Sequence, residues 1–246
     1  MKQLNILGVI TARGNSKGLP GKNIKMLGGR PLILYTLAQA RFSKTITHLI
    51  TSTDSREIAH VVQAAGGDVP FLRPPALATD TATHTMVLEH AITYMERMHG
   101  LVYDYIVTLQ PTSPFRAVSD IDLTVEKIIA QQADSAITIA EVEPNRGPQK
   151  MFEKDVDGNF RPLVMAPHTR RQEVPKYYMR TSAVFVTKRD VILEKQSMFG
   201  DSTAMHVVPA QRSVDIDTPL DFHVAEYMFH HLPITPDGLV NEVMSQ

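Results

Sequence analysis

Apolar and polar positions follow two periods in this chain, and the two take turns. Short apolar, β-rich runs at residues 4–11, 48–52, 69–72, 105–109 and 136–140 have the length and alternation of strands. Helical stretches separate them. Residues 31–42 open on Pro31, which suits a first helical turn, while residues 55–65 end on Gly66-Gly67 and residues 83–98 end on Gly100. Ser119, followed by Asp120 and Asp122, reads as an N-cap with acids in the first turn of a helix to about Gln131. Strand patterning returns at residues 183–187 and 205–208, and Thr218-Pro219 opens a last helix through about His230. Strand, helix, strand in this rhythm predicts an α/β fold with a mostly parallel, Rossmann-like sheet wrapped by helices.

The rhythm breaks between Glu143 and Met179, where prolines, glycines and charges cluster at residues 144–150 and again around 167–175. Such a sheet does not need this segment, so it reads as an inserted arm. The division expected is an α/β domain of residues 1–142 and 181–246, with residues 143–180 as an arm of the kind that reaches a partner subunit.

The 246 residues and an apolar fraction of 43% suffice for a sizeable core. No apolar stretch is long enough to span a bilayer, and the first residues lack a secretory pattern, so a cytoplasmic location without membrane contact is expected. The absence of cysteine excludes thiolate catalysis, disulfides and Cys-based zinc sites. The ten histidines form no His-Glu-x-x-His array.

Charge is distributed unevenly. Eight Lys or Arg precede the first acid, Asp54, although the formal total is -1. The densest part follows the first strand: Thr11-Ala12-Arg13-Gly14-Asn15-Ser16-Lys17-Gly18-Leu19-Pro20-Gly21-Lys22-Asn23-Ile24-Lys25. Three glycines let backbone approach a ligand, and four cations stand without a neighbouring carboxylate, which describes a polyphosphate cradle rather than a broad nucleic-acid face. It is not a Walker A loop, because Ser16 stands five before Gly21 and Asn23 follows Lys22. Nor do Gly14, Gly18 and Gly21 have the spacing of G-x-G-x-x-G.

Two other places carry candidate chemistry. In Ser213-Val214-Asp215-Ile216-Asp217 the alternation puts both carboxylates on one face of an extended segment, where they either share a hard cation or divide into a helix cap and a solvated acid. Gln110 to Arg116 follows a strand end, where parallel sheets bind ligands. There Pro111 and Pro114 shape a turn, Gln110 offers an amide to a sugar, and Arg116 is either functional or a salt-bridging surface residue.

The segment from Arg13 through Asn23 resembles the signature of the acylneuraminate (CMP-sialic acid) cytidylyltransferases, and Leu109-Gln110-Pro111-Thr112-Ser113-Pro114-Phe115-Arg116 resembles their second signature block. Arg73-Pro74, residues 78–82, Arg170-Arg171-Gln172 and Asp215-Ile216-Asp217 extend the likeness over about residues 4–230. The resemblance implies a nucleotide-diphospho-sugar transferase fold and a homodimer, with pairing into a tetramer open. The reaction implied is attack by the 2-hydroxyl of an acidic nine-carbon sugar on the α-phosphate of CTP, giving a CMP-sugar and pyrophosphate. Lys22 and the loop amides, with Ala12, Arg13, Gly14, Ser16, Lys17 and Asn23, would hold the nucleotide phosphates. Arg73, the Ala82 main chain and His84 would face the cytidine, although His84 also suits a helix cap or a surface position. Gln110 would face the sugar, with Lys150 and Arg171 reaching a neighbouring subunit's site. Asp215 and Asp217 would hold Mg2+; Arg13, Lys22 and this pair are the implied catalytic set, with no general base evident.

One departure concerns the sugar. Thr181-Ser182-Ala183-Val184-Phe185 stands where sialic acid enzymes read Asn-Gly-Ala-Ile-Tyr, so an amide and a phenol are missing from the implied sugar side. Thr181, Phe185 and Phe199 are therefore candidates to line an altered pocket for another nonulosonic acid, with core packing an equal reading for either Phe. The rival functions are a CMP-Kdo synthetase type and a sugar-nucleotide-binding protein without turnover. Ser16-Lys17 and Lys22-Asn23 favour the nonulosonate branch over the first, and Lys22, Asp215 and Asp217 argue against the second.

Overall fold

The computed structural model describes residues 4–164 and 175–232. Its central strand, β1 (Ile6–Thr11), is buried along all but its last residue, as a strand covered on both faces should be. After β1 the chain makes a 3-10 turn at Lys22–Ile24, a ribbon of β2 (Met26–Leu27) and β3 (Arg30–Pro31), and α1 (Leu32–Arg41). There follow β4 (His48–Ser52), α2 (Arg56–Ala64), α3 (His84–His99), β5 (Tyr105–Leu109), α4 (Val118–Gln131) and β6 (Ser135–Glu141). The last third holds a second ribbon of β7 (Phe152–Lys154) and β8 (Phe160–Pro162), then β9 (Tyr178–Lys188), α5 (Arg189–Leu193), β10 (Thr203–Val208) and α6 (Pro219–His231).

Six strands form one sheet in the order β10-β6-β9-β5-β1-β4. It is parallel except at β9, which runs antiparallel to both β5 and β6. The reversal has a local cause. After β6 the chain leaves the sheet, no α-helix lies among the described residues before β9, and Val142 N donates to Tyr177 O at 2.8 Å where it returns. It re-enters at the end it left, so it can only run back. Of the expected arm, the described residues 143–164 and 175–177 lie outside the six-stranded sheet, but Tyr178, Met179 and Arg180 already pair with Glu141, Ala140 and Ile139 and belong to β9.

Alternation along β1 divides the core. Ile6 and Ile10 pack with α1, α2 and α4 on one face, and Leu7 and Val9 pack with α3 on the other. A third apolar cluster, including Leu19, Leu27, Leu32, Phe115, Ile216 and Phe222, seats α6 beneath the loop after β1.

The helix ends differ from the expected caps in three places: Pro31 ends β3 and is the N-cap of α1 rather than part of its first turn, Thr218 and not Asp217 caps α6, and α4 is capped before the expected residue. The Ser55, Thr83 and Thr218 hydroxyls accept from Ile58 N, Met86 N and Asp221 N, each at 3.3 Å. At α4 the N-cap is Ala117 rather than Ser119, because Asp120 turns back to accept from Ala117 N at 2.8 Å while also taking Arg212 Nη2 at 2.8 Å. Residues 69–72 form no strand; a single bridge between Thr53 and Leu72 remains, since Pro70 has no N–H to give to a ladder.

Candidate functional site

The loop leaving β1 is held as a scaffold before any ligand is considered. Gly21 sits at φ +66°, a conformation that side chains with a Cβ resist, and a Cβ on Gly18 would collide with the main-chain oxygen of Asp217. Asn23 is buried, and its Nδ2 donates to Arg13 O at 2.8 Å, tying the loop to itself. Ser16 and Ala12 are also buried, and Gly14 N donates to Asp54 Oδ1 at 2.9 Å. The cations that remain free to face a ligand are each held by a carboxylate from across the opening. Lys22 Nζ lies 2.8 Å from Asp217 Oδ1, while Arg13 Nη1 and Lys17 Nζ lie 3.0 and 2.6 Å from the two oxygens of Asp80. Lys17, then Arg13, holds the Asp80 carboxyl below its ordinary pKa.

These residues line a cleft of about 700 Å³ at the carboxyl ends of β1 and β5, where parallel α/β sheets bind ligands. Arg13, Ser16, Lys17, Lys22 and Asn23 line it together with Arg73, Ala82 and His84, and with Gln110, Pro111 and Thr112 from the end of β5. Arg73 is buried, with Nε donating to Ser52 Oγ at 3.1 Å and Nη2 to Ser52 O, so its guanidinium is fixed rather than sought by solvent. His84 is the first residue of α3, after the Thr83 cap. The residue is exposed, as the surface reading of His84 expects; partial desolvation of the ring at the cleft, then Arg73, Arg180 and Arg13, push its imidazole pKa down.

Beneath Gln110 lies a polar node that sequence reasoning did not anticipate. Arg116 is fully buried, not a surface ion pair. Its Nη2 donates to Gln110 O at 2.8 Å, Nη1 to Gln39 Oε1 at 3.0 Å and Thr36 Oγ1 at 3.3 Å, and Nε to Ala183 O. Burial lowers its pKa to about 9, opposed by Asp120 and Asp215. Gln39 in turn donates to Pro114 O at 2.6 Å. One guanidinium therefore joins α1, the end of β5 and β9.

Asp215 and Asp217 are not on a strand, but the predicted alternation appears in burial: Ile216 is buried, Asp215 half-buried and Asp217 exposed. Ile216 N donates to Thr112 O at 2.9 Å, drawing the segment against the end of β5. Asp217 lines the cleft. Asp215 Oδ2 accepts from Ser182 Oγ at 2.6 Å, and Asp215 Oδ1 is buried with no hydrogen-bond partner among the described residues. Asp215 itself is not among the residues that line the cleft; its unsatisfied oxygen and the carboxylate of Asp217, two residues on, are oxygen donors of the kind a hard divalent cation takes. Among the described residues no three metal-ligating side chains gather, so the remaining ligands would come from phosphate and water, as magnesium prefers.

The sugar-side candidates divide. Thr181 is buried with its hydroxyl 2.6 Å from that of Thr138, and Phe185 is buried in β9, so both side chains are committed inside the protein. Phe199 is partly exposed, and Arg180 lies over the Phe185 and Phe199 rings at 5.9 and 5.8 Å. Lys150 is exposed on a 3-10 turn outside the sheet, and Arg171 lies outside the described residues. Asp80 and Ser182 fall inside stretches that the resemblance assigns to the cytidine and sugar sides, but no role for either side chain is legible in the sequence. Their partners are 67 and 63 residues away for Asp80, and 33 for Ser182, so no local spacing marks either.

Comparison with known proteins bears on this cleft. The Cytidylyltransferase family matches residues 7–235. The chain is 34% identical over 223 residues to post-translational flagellin modification protein B of Campylobacter coli, covering 91% of this chain and 94% of that one. It is 32% identical over 242 residues to CMP-N,N'-diacetyllegionaminic acid synthase of Campylobacter jejuni, covering 94% and 97% respectively. A solved structure of CMP:2-keto-3-deoxy-manno-octonic acid synthetase complexed with CTP superposes with a TM-score of 0.69 at 19% identity, over 93% of this chain and 100% of that chain.

Proposed function

The chain belongs to the cytidylyltransferase family, and from that premise we propose that it activates a nonulosonic acid with CTP, giving a CMP-sugar and pyrophosphate. The observation that carries the reading is one cleft lined both by Arg13, Lys17 and Lys22 and by Arg73, His84 and Gln110. A triphosphate needs the first set; a base and a sugar need the second. The likeness to a legionaminic acid synthase over nearly the full length of both chains supports an acid of that type.

In this reading the phosphates displace Asp80 and Asp217 from their cations, so Arg13, Lys17 and Lys22 exchange an internal carboxylate for a ligand oxygen. The preset glycine loop adds main-chain N–H groups without reorganisation. Gln110, its carbonyl anchored by Arg116, orients the sugar so that its 2-hydroxyl meets the α-phosphate in line with the departing pyrophosphate. Asp215 and Asp217 would hold Mg2+, which when bound neutralises charge on the reacting phosphate and acidifies the attacking hydroxyl. No side chain is assigned as general base.

A homodimer is part of the proposal, with Lys150 and Arg171 of the arm meeting the sugar carboxylate in a neighbouring copy's site. So is a cytoplasmic location; no helix among the described residues is long and apolar enough to cross a membrane. The test is product identification: CTP, Mg2+ and a legionaminic-type acid should yield a CMP-sugar phosphodiester resonance in 31P NMR, with one pyrophosphate per product. A panel of nonulosonic acids and Kdo giving nucleotide binding but no product would contradict it.

A further inference from the structure

β9 does not pair continuously with β6. Ile137 faces Phe185 and Ile139 faces Arg180, so residues 181–184 of β9 stand opposite Thr138 alone. The bulge is built from several independent bonds. Val184 N donates to the Thr138 hydroxyl at 3.0 Å, that hydroxyl lies 2.6 Å from Thr181 Oγ1, and Arg116 Nε holds Ala183 O. None of these involves the side chain of Ser182. The bulge's effect is to lift Ser182 out of the ladder and aim its hydroxyl at Asp215.

We infer that Ser182 is a positioning residue for the carboxylate that receives the divalent cation; the inference rests on the reading of Asp215 and Asp217 given above. A carboxylate with two equivalent oxygens can rotate or bind through either. Here Ser182 Oγ occupies Oδ2 at 2.6 Å, and Oδ1 is left buried and without a partner among the described residues. One oxygen is thereby consumed and the other reserved. A buried acceptor left unmade costs stability, and a fold that keeps one beside a donated hydrogen bond has set the carboxylate for a ligand absent from the protein alone. Outer hydrogen bonds of this kind fix ligand orientation and tune metal affinity. Ser182 does not touch substrate in this account. It acts through Asp215.

A purely structural serine would satisfy Asp215 and contribute to folding without affecting metal. Mn2+ binding to the purified full chain, followed by the EPR signal of free Mn2+, separates the two, with CTP binding in EDTA and thermal denaturation measured in parallel. Ser182→Ala is expected to weaken Mn2+ binding by roughly tenfold or more and to leave CTP binding in EDTA unchanged, while Ser182→Thr, which keeps the hydroxyl, restores the affinity. Ser182→Gly gives a second test of hydroxyl loss should the alanine variant fold poorly. If Ser182→Ala and Ser182→Gly bind Mn2+ like the parent while Asp215→Asn does not, the positioning role is overturned and the carboxylate reading stands. If Asp215→Asn and Asp217→Asn also bind Mn2+ like the parent, the carboxylate reading fails and takes this inference with it.

Discussion

The two sides of the cleft hold positive charge in opposite ways. On the loop after β1, Arg13, Lys17 and Lys22 are each paired with a carboxylate that is more than half exposed, Asp80 or Asp217. Such pairs are worth little in water and exchange readily. Beneath Gln110, by contrast, Arg116 is sealed from solvent and bonded to main-chain oxygens and an amide, with no carboxylate of the described residues at bonding distance. The first arrangement keeps charge available for an incoming anion. The second spends a charge on holding three elements in place. Two arginines a hundred residues apart, each within a resemblance signature, thus do different work, and burial separates them.

The comparison breaks most visibly at Lys22. Lys22→Ala should reduce kcat/KM for CTP by about a hundredfold or more while leaving the denaturation midpoint close to the parent's; a variant with the parent's transfer rate would remove Lys22 from the chemistry. Arg116→Met should do the reverse. Leaving the carbonyls of Gln110 and Ala183 without a donor is expected to cost about 3 kcal/mol of stability, read in urea denaturation, before any effect on nucleotide affinity. Near-parent stability would mean that Arg116 does not hold the node.

How far the two sides could be read from the sequence follows from the same contrast. The loop is legible because its cations and glycines are contiguous, and the helices opening near residues 55, 83 and 218 because their start and stop signals act within a few residues. Arg116 was left open between a functional and a surface role because its partners Thr36, Gln39 and Ala183 are 80, 77 and 67 residues away. The direction of β9 was likewise hidden, since residues 183–187 look the same run either way. Their orientation is decided by a chain that returns at Tyr177 to the point it left. Thr181 read as a pocket residue because its neighbours match one; its partner Thr138 is 43 residues distant.

Smaller effects sharpen the loop side. Asp80→Asn removes the carboxylate that Arg13 and Lys17 share, so CTP should bind about two- to fivefold more tightly at low salt, an advantage that fades as salt rises. Weaker binding would show Asp80 contributing a ligand contact instead. The smallest effect concerns His84. Its folded pKa lies below the unfolded value of 6.5, so the unfolded chain takes the proton first, and stability falls as pH drops below about 6.5 towards the folded value. Denaturation midpoints of His84→Gln should decline less than the parent's across that window; identical slopes would contradict the environment assigned to this ring.

The most direct test of the central claim is pyrophosphate release by the purified chain with Mg2+, each of CTP, ATP, GTP and UTP being crossed against legionaminic, sialic, pseudaminic and Kdo acids. The account predicts release with CTP and a nonulosonic acid, and its loss in Lys22→Ala. Release with every acid absent, or with Kdo alone, would contradict it.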